Sequence, residues 1–266
     1  MTHFSFNQAT AKYWPLDEAV VGCAEAGVPG IGLWRDQVEA AGGTEVASRL
    51  VREAGLTVTS LCRGGFFTGD DWLADNRRAV DEAVALGTDT LVLVCGGLPA
   101  GSRDLDAARG QVADAVTVLA PYARAAGVTL AVEPLHPMFC SDRSVVSTLG
   151  QALNLAGRFD PGVVGVVVDA YHVWWDESVY EQIARAGERI AMLQVCDWIT
   201  PLPAGVLLGR ALPGEGCIEL RRLCAAVDEA GYAGPIEVEV FNAELWARPG
   251  KEVLAATVTA YLQHVA

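Results

Sequence analysis

A short apolar run, a loop, an amphipathic helix and a glycine follow one another in a unit of about thirty residues, and this unit recurs along the whole chain. The apolar runs are FSFN (4–7), GIGLW (30–34), LTVTSLC (56–62), TLVLVC (90–95), VTLAVE (128–133), VVGVVVD (163–169), IAMLQVC (190–196) and PIEVEVF (235–241). They are short, rich in Val, Leu and Ile, and apolar almost throughout, which is the pattern of parallel strands buried on both faces. Between them, LDEAVVGCAEAG sets Leu16, Ala19, Val20 and Cys23 on one helical face and stops at Gly27. DDWLADNRRAVDEAVALG, SRDLDAARGQVADAVTVLAPYARAAG and IELRRLCAAVDEAGYAG read the same way, the last closing at Gly231. Asp17, Asp71 and Asp104 stand at or near helix starts, where a carboxylate accepts backbone N–H bonds.

Eight strands alternating with eight helices fold as a closed barrel or as an open doubly wound sheet. An open nucleotide-binding sheet usually carries GxGxxG between its first strand and helix, whereas this junction reads NQATAKYWP. The sequence therefore predicts a single α/β domain over residues 1–266, a (β/α)8 TIM barrel. No Pro/Gly/Ser-rich linker divides it.

Hydrophobic residues make up 52% of the chain, enough for a sizeable core without disulfides. The seven cysteines are scattered with no CxxC pair, so neither a disulfide framework nor a structural zinc site is expected. No apolar run approaches a membrane span, and MTHFSFNQATAKYW lacks the basic and apolar regions of an export signal. The expected location is cytoplasmic, with no membrane partner. The formal net charge is −14 and lysine occurs only at Lys12 and Lys251. With no basic block to neutralise a phosphate backbone, nucleic acid is not an expected partner.

Active sites in such barrels lie at the carboxyl ends of the strands. Those ends read Glu133, then Asp169, then Gln194 with Asp197 beyond it, then Glu239. Any one of them could cap a helix or pair with an arginine. Together they would crowd three carboxylates into a few ångströms, which requires a cation or protonation. A divalent-metal site is the economical reading.

AVEPLHP, DAYHVWWD, QVCDW, RALPGEG and GPIEVEVF, in this order and spacing, resemble the xylose-isomerase-like barrel superfamily. GLWRDQV and SLCRGGFF extend the likeness toward the N-terminus. The superfamily includes ketose 3-epimerases, hydroxypyruvate isomerase, inosose dehydratase and 3-dehydroshikimate dehydratase. The resemblance implies that Glu133, Asp169, Gln194 and Glu239 hold the metal, with Glu133 and Glu239 also moving protons. It further implies His172 beside the substrate, Arg210 on substrate oxygens, and a homodimer. Most members have a histidine where this chain has Gln194; the dehydroshikimate dehydratases resemble it in having glutamine. An all-oxygen set of Glu, Asp, Gln and Glu suits Mn²⁺ or Mg²⁺ better than Zn²⁺, with Co²⁺ also usable.

Other residues carry weaker signals. His172 is placed to hydrogen-bond a polyol or move a proton, or else packs under Trp174 and Trp175. His136 either contacts substrate or braces its loop. Arg35, Arg63 and Arg210 follow strands, where carboxylate pairing is the ordinary fate of an arginine in an acidic protein. Trp34 and Trp174 are candidates for an apolar rim against a sugar or cyclitol, with packing as the alternative. Cys62 and Cys196 read as buried thiols, and PGEG as a loop that positions Arg210.

The leading expectation is a metal-dependent isomerase or epimerase of a keto-sugar, keto-polyol or inosose, working through an enediolate. A lyase or dehydratase is the alternative, since the same enolate can expel a β-substituent. Two readings rank lower. A DNA-repair enzyme of this superfamily is expected to carry a histidine-rich multi-zinc site, which this chain lacks, and a sugar-binding protein needs no pair of acid/base glutamates. The expected partner is a small sugar or cyclitol, non-phosphorylated because no Lys/Arg cluster is present.

Overall fold

Alternate residues of a strand point to opposite faces, and here the two sets build two separate apolar bodies. Leu91 and Leu93, Leu130 and Val132, Val166 and Val168, and Leu193 belong to the large core between strands and helices. The residues between them, Val92, Ala131, Val167 and Met192, join Cys62 in a second cluster. Strands apolar on both faces are stable only when covered on both, which a closed parallel barrel ringed by helices provides.

The computed structural model describes residues 1–266. Its barrel strands are β1 (Phe4–Asn7), β2 (Gly30–Trp34), β3 (Thr57–Gly65), β4 (Thr90–Val94), β5 (Thr129–Glu133), β6 (Val164–Asp169), β7 (Ile190–Val195) and β8 (Ile236–Val238). Each is parallel to its neighbours, and β1 closes the ring by pairing Phe4 with Ile236 and Phe6 with Val238. Outside lie α1 (Leu16–Glu25), α2 (Thr44–Glu53), α3 (Trp72–Leu86), α4 (Leu105–Ala126), α5 (Leu149–Ala156), α6 (Val179–Ala186), α7 (Leu220–Glu229) and α8 (Gly250–His264). The predicted (β/α)8 barrel is the fold observed.

Local chemistry explains the boundaries. α4 begins where the Asp104 side chain accepts from the Ala107 N–H at 2.9 Å. It ends at Gly127, whose φ of +71° returns the chain N–H to the Ala123 carbonyl. Asp71 corrects an expectation: it sits at φ +53° and makes no side-chain cap for α3. β3 runs on to Gly65 because Gly64 and Gly65 still pair with Leu93 and Val94. β8 stops earlier than its apolar run, since the Val240 N–H bonds the Thr10 hydroxyl instead of a strand.

Candidate active site

Glu133 ends β5, Asp169 ends β6, Gln194 lies one residue before the end of β7, and Glu239 follows β8 directly. All four are buried. Asp169 stands opposite Gln194 in the ladder, and Gln194 opposite Glu237. The Asp169 carboxylate also accepts from the Tyr171 N–H at 2.7 Å, starting the helical turn Ala170–Val173 that carries His172. Ligand atoms of Glu133, Asp169 and His172 lie within 4.8 Å of one another.

A guanidinium enters this carboxylate cluster. Arg210 Nη1 donates to Glu239 Oε2 at 3.0 Å and to Asp169 Oδ2 at 3.4 Å. Its charge lies between the rings of Tyr171 and Phe241, at 4.8 and 4.7 Å. The backbone beneath it is held by an antiparallel pairing of Asp197–Trp198 with Arg210–Ala211, and by Asn242 donating to the Arg210 carbonyl. Asp197 accepts from the Trp198, Gly214 and Ile218 N–H groups, so it anchors the PGEG loop.

His172 meets an obligatory donor at each ring nitrogen: the His136 N–H at Nδ1 (3.1 Å) and Arg210 Nη2 at Nε2 (3.2 Å). A neutral imidazole has a single lone pair and accepts from only one of them, while Nε2 also lies 3.8 Å from Asp169 Oδ2. Burial, followed by Arg210, His136 and Arg143, holds the His172 pKa well below the ordinary histidine value. In one tautomer His172 can donate from Nε2 to a substrate oxygen; in the other its Nε2 lone pair, within 4.8 Å of the Glu133 and Asp169 ligand atoms, could join them at a metal.

The electrostatics are dominated by crowding. Burial, then the Asp169 and Glu239 charges, pushes Glu133 well above the ordinary carboxylate range. Burial raises Asp169 too, against the pull of Arg210 and of the backbone N–H of Tyr171. Burial lifts Glu239 to about 8, with Arg210 opposing and Asp169 and Glu237 adding. Arg210 stays protonated: burial works against its charge, but Asp169, Glu239 and Glu133 outweigh it and raise the pKa. With all three carboxyls ionised, they and the guanidinium would carry two negative charges, which one divalent ion would cancel; without a cation, burial and crowding favour their protonated forms.

Beneath them is a buried polar network absent from the sequence-based site. Glu237 accepts at Oε1 from Asn7 Nδ2 (2.8 Å) and Gln194 Nε2 (2.9 Å), and at Oε2 from the Thr59 and Ser60 hydroxyls (2.9 Å each). The Gln194 amide thereby spends a donor on Glu237, and its buried Oε1 has no partner. An orphaned carbonyl oxygen beside Asp169 suits a cation, so Glu133, Asp169, Gln194 and Glu239 could hold a metal through oxygen alone.

The remaining candidates divide. The His136 ring lies 5.3 Å from Trp175 and 5.1 Å from Trp198, its Nδ1 accepts from Met138, and its backbone braces His172. Trp174 packs 5.4 Å from Trp198, with its buried Nε1 unpartnered. Trp34 donates to Asn7 and meets the Phe241 ring at 5.4 Å. Arg63 stacks on Phe66 at 4.0 Å rather than pairing with a carboxylate, and burial and Arg143 lower its pKa. Arg35 pairs with Asp75 and Glu82 of α3, so its role is structural. Burial raises Cys62 and Cys196 well above the usual thiol range, leaving both unreactive. Tyr171, Phe241 and Glu237 were not singled out from sequence. For Glu237 the signal was present: in IEVEV it shares a strand face with Glu239.

The model of the xylose isomerase-like TIM barrel family matches residues 21–257. The chain belongs to that family. This xylose isomerase-like barrel is 30% identical over 247 residues to 3-dehydroshikimate dehydratase of Pseudomonas aeruginosa, covering 88% of the chain and 37% of the dehydratase. It is 28% identical over 142 residues to inosose isomerase of Halalkalibacterium halodurans, covering 52% of the chain and 49% of the isomerase. Those relatives are enzymes, and the chain spans less than half the length of either in these matches. The crystal structure of protein SMc04130 from Sinorhizobium meliloti 1021 superposes with a TM-score of 0.94 at 47% identity, covering 99% of this chain and 98% of that one. The IOLI protein with a bound zinc atom shares the fold at a TM-score of 0.83 and 21% identity, covering 98% and 97%.

Proposed function

We propose that this chain is a divalent-metal-dependent isomerase or epimerase acting on a keto-sugar, keto-polyol or inosose. The observation that carries the proposal is the pair Glu133 and Glu239. Both are buried and proton-binding, and they reach the site from β5 and β8 with Asp169 and Gln194 on the strands between. The metal reading draws on the orphaned Gln194 oxygen and the uncompensated carboxylates. An all-oxygen donor set favours Mn²⁺ or Mg²⁺, with Co²⁺ usable; zinc is what the IOLI protein carries.

A bound divalent ion supplies Lewis acidity toward a substrate carbonyl and acidifies the neighbouring C–H. One of Glu133 and Glu239 takes that proton as its carboxylate, leaving an enediolate. The other, after taking a proton from solvent, delivers it to the opposite face for epimerisation or to the adjacent carbon for aldose–ketose exchange, and the first releases its proton to solvent. The Arg210 guanidinium, and His172 in its Nε2–H tautomer, would donate to the oxygen that gains charge. Trp34 and Trp174 supply apolar surface, and His136 and Arg63 polar contacts, to a small sugar or cyclitol. The same reading takes residues 1–266 as one catalytic barrel and, from the family likeness, a homodimer. No helix is long and apolar enough to cross a membrane.

Keto-sugars, inososes and 3-dehydroshikimate incubated in D₂O with Mn²⁺ and followed by NMR test the proposal. Deuterium should enter the carbon next to the carbonyl of at least one substrate, with isomer or epimer as product. No exchange into any of them would sink it. The second reading is a dehydratase, favoured by one observation: Arg63 is left without a carboxylate partner in a chain of net charge −14. A substrate carboxylate would satisfy it, as 3-dehydroshikimate could. The enolate would then expel a β-hydroxyl, which leaves as water after protonation with help from His172 or Arg210, and label would appear mainly with loss of water.

A further inference from the structure

Four donors converge on a carboxylate that no part of the proposed chemistry uses. Glu237 is fully buried in the barrel interior, where β1 contributes Asn7, β3 contributes Thr59 and Ser60, and β7 contributes Gln194. The space for it is made on β2: a Cβ at Gly32 would overlap both Glu237 carboxylate oxygens. Thr59 and Ser60 are hydroxyls and could reverse their hydrogen bonds. Asn7 Nδ2 and Gln194 Nε2 can only donate, and both donate to Oε1. Asn7 is itself oriented from its other end, its Oδ1 accepting from Trp34 Nε1 and the Ala9 N–H. Gln194 has no such second tether, since its Oε1 is unpartnered. An amide is nearly symmetric in shape, and without Glu237 nothing in the barrel would distinguish its two orientations.

We propose that Glu237 is a positioning residue that fixes the Gln194 amide so that its oxygen, rather than its NH₂, is presented to the divalent ion. The proposal rests on the metal reading above. A wrongly turned amide would aim two N–H donors at the cation and remove one of four ligands. The same carboxylate could accept an imidazole N–H, so it would orient a histidine at position 194 equally well.

The test uses Co²⁺, whose visible absorption reports its ligands, together with calorimetric Co²⁺ affinity. Glu237→Gln keeps an oxygen for Asn7 and Gln194 and turns its NH₂ toward the hydroxyls. It should retain the wild-type spectrum and bind within about threefold of wild type. Glu237→Met removes the acceptor, and should change the spectrum and weaken binding by roughly 10–100-fold, the range for losing a group that orients a ligand. In a Gln194→Ala background the same Glu237→Met change should have little further effect. Should Glu237→Met not fold, Gly32→Ala displaces the same carboxylate from the facing wall and should weaken binding likewise. Three results would overturn the assignment: wild-type binding and spectrum in Glu237→Met or Gly32→Ala, equal damage from Glu237→Gln and Glu237→Met, or an undiminished Glu237→Met effect without Gln194. A wild-type protein that binds no Co²⁺ refutes the metal reading itself, and this inference with it.

Discussion

Raising the pH of metal-free protein from 5 to 8 should destabilise it strongly. Glu239 lies at about 8 in the folded chain against 4.5 for an ordinary glutamate. A carboxylate with a raised folded pKa binds its proton more tightly when folded. Its contribution is therefore complete below about 4.5, declines as pH rises, and is gone above about 8. One such group costs about 1.4 kcal/mol per pH unit within that window. Glu239 alone should remove roughly 3–4 kcal/mol between pH 5 and 8, a large share of a typical 5–15 kcal/mol. Glu133, raised by the same burial and crowding, acts in the same direction. With saturating Mn²⁺ the carboxylates are deprotonated ligands throughout, and the decline should vanish. Urea denaturation in EDTA and in Mn²⁺ at several pH values measures both curves. The reasoning fails if the EDTA curve is flat from pH 5 to 8, or if Glu239→Gln leaves its slope unchanged.

Three further outcomes follow from the same geometry. Gln194→His should shift metal preference toward Zn²⁺ and Co²⁺ in competition binding, because imidazole is the better ligand for both; an unchanged preference places residue 194 away from the ion. Glu133→Gln and Glu239→Gln should each keep part of the metal affinity while turnover falls by about 10²–10⁴-fold, the worth of a positioned base; wild-type solvent exchange in Glu239→Gln ends the two-glutamate mechanism. Arg210→Met should cost metal-free protein about 3–5 kcal/mol in urea unfolding, since Asp169 and Glu239 lose their buried cation; Mn²⁺ should restore most of it, and equal stability of variant and wild type in EDTA would show that the guanidinium is not needed there.

Much of this was legible in the sequence because strand-end chemistry stands out against apolar runs. Glu133, Asp169 and Glu239 each follow Val-rich stretches, so the eye falls on them. Their burial and convergence in a closed barrel follow from the topology. Glu237 escaped notice although IEVEV places it on the face of Glu239, because reading only strand ends ignores residues lower in the barrel. Its donors Asn7, Thr59 and Ser60 are mild polar residues scattered across strands, and only closure brings them together. Pairing of Arg210 with carboxylates was one of the readings open from sequence, but which carboxylates it meets was not. That depends on a two-residue ribbon and on the rings of Tyr171 and Phe241, which follow β6 and β8 and flank the guanidinium. Nor does the sequence reveal that His172 stands between two donors, a backbone N–H thirty-six residues away and the Arg210 guanidinium.

The most direct test of the metal centre is anomalous diffraction at the manganese edge from crystals grown with Mn²⁺. The expected result is one peak per chain bounded by Glu133, Asp169, Gln194 Oε1 and Glu239. A map with no peak there, and Arg210 still bonded to Asp169 and Glu239 at saturating Mn²⁺, would contradict it.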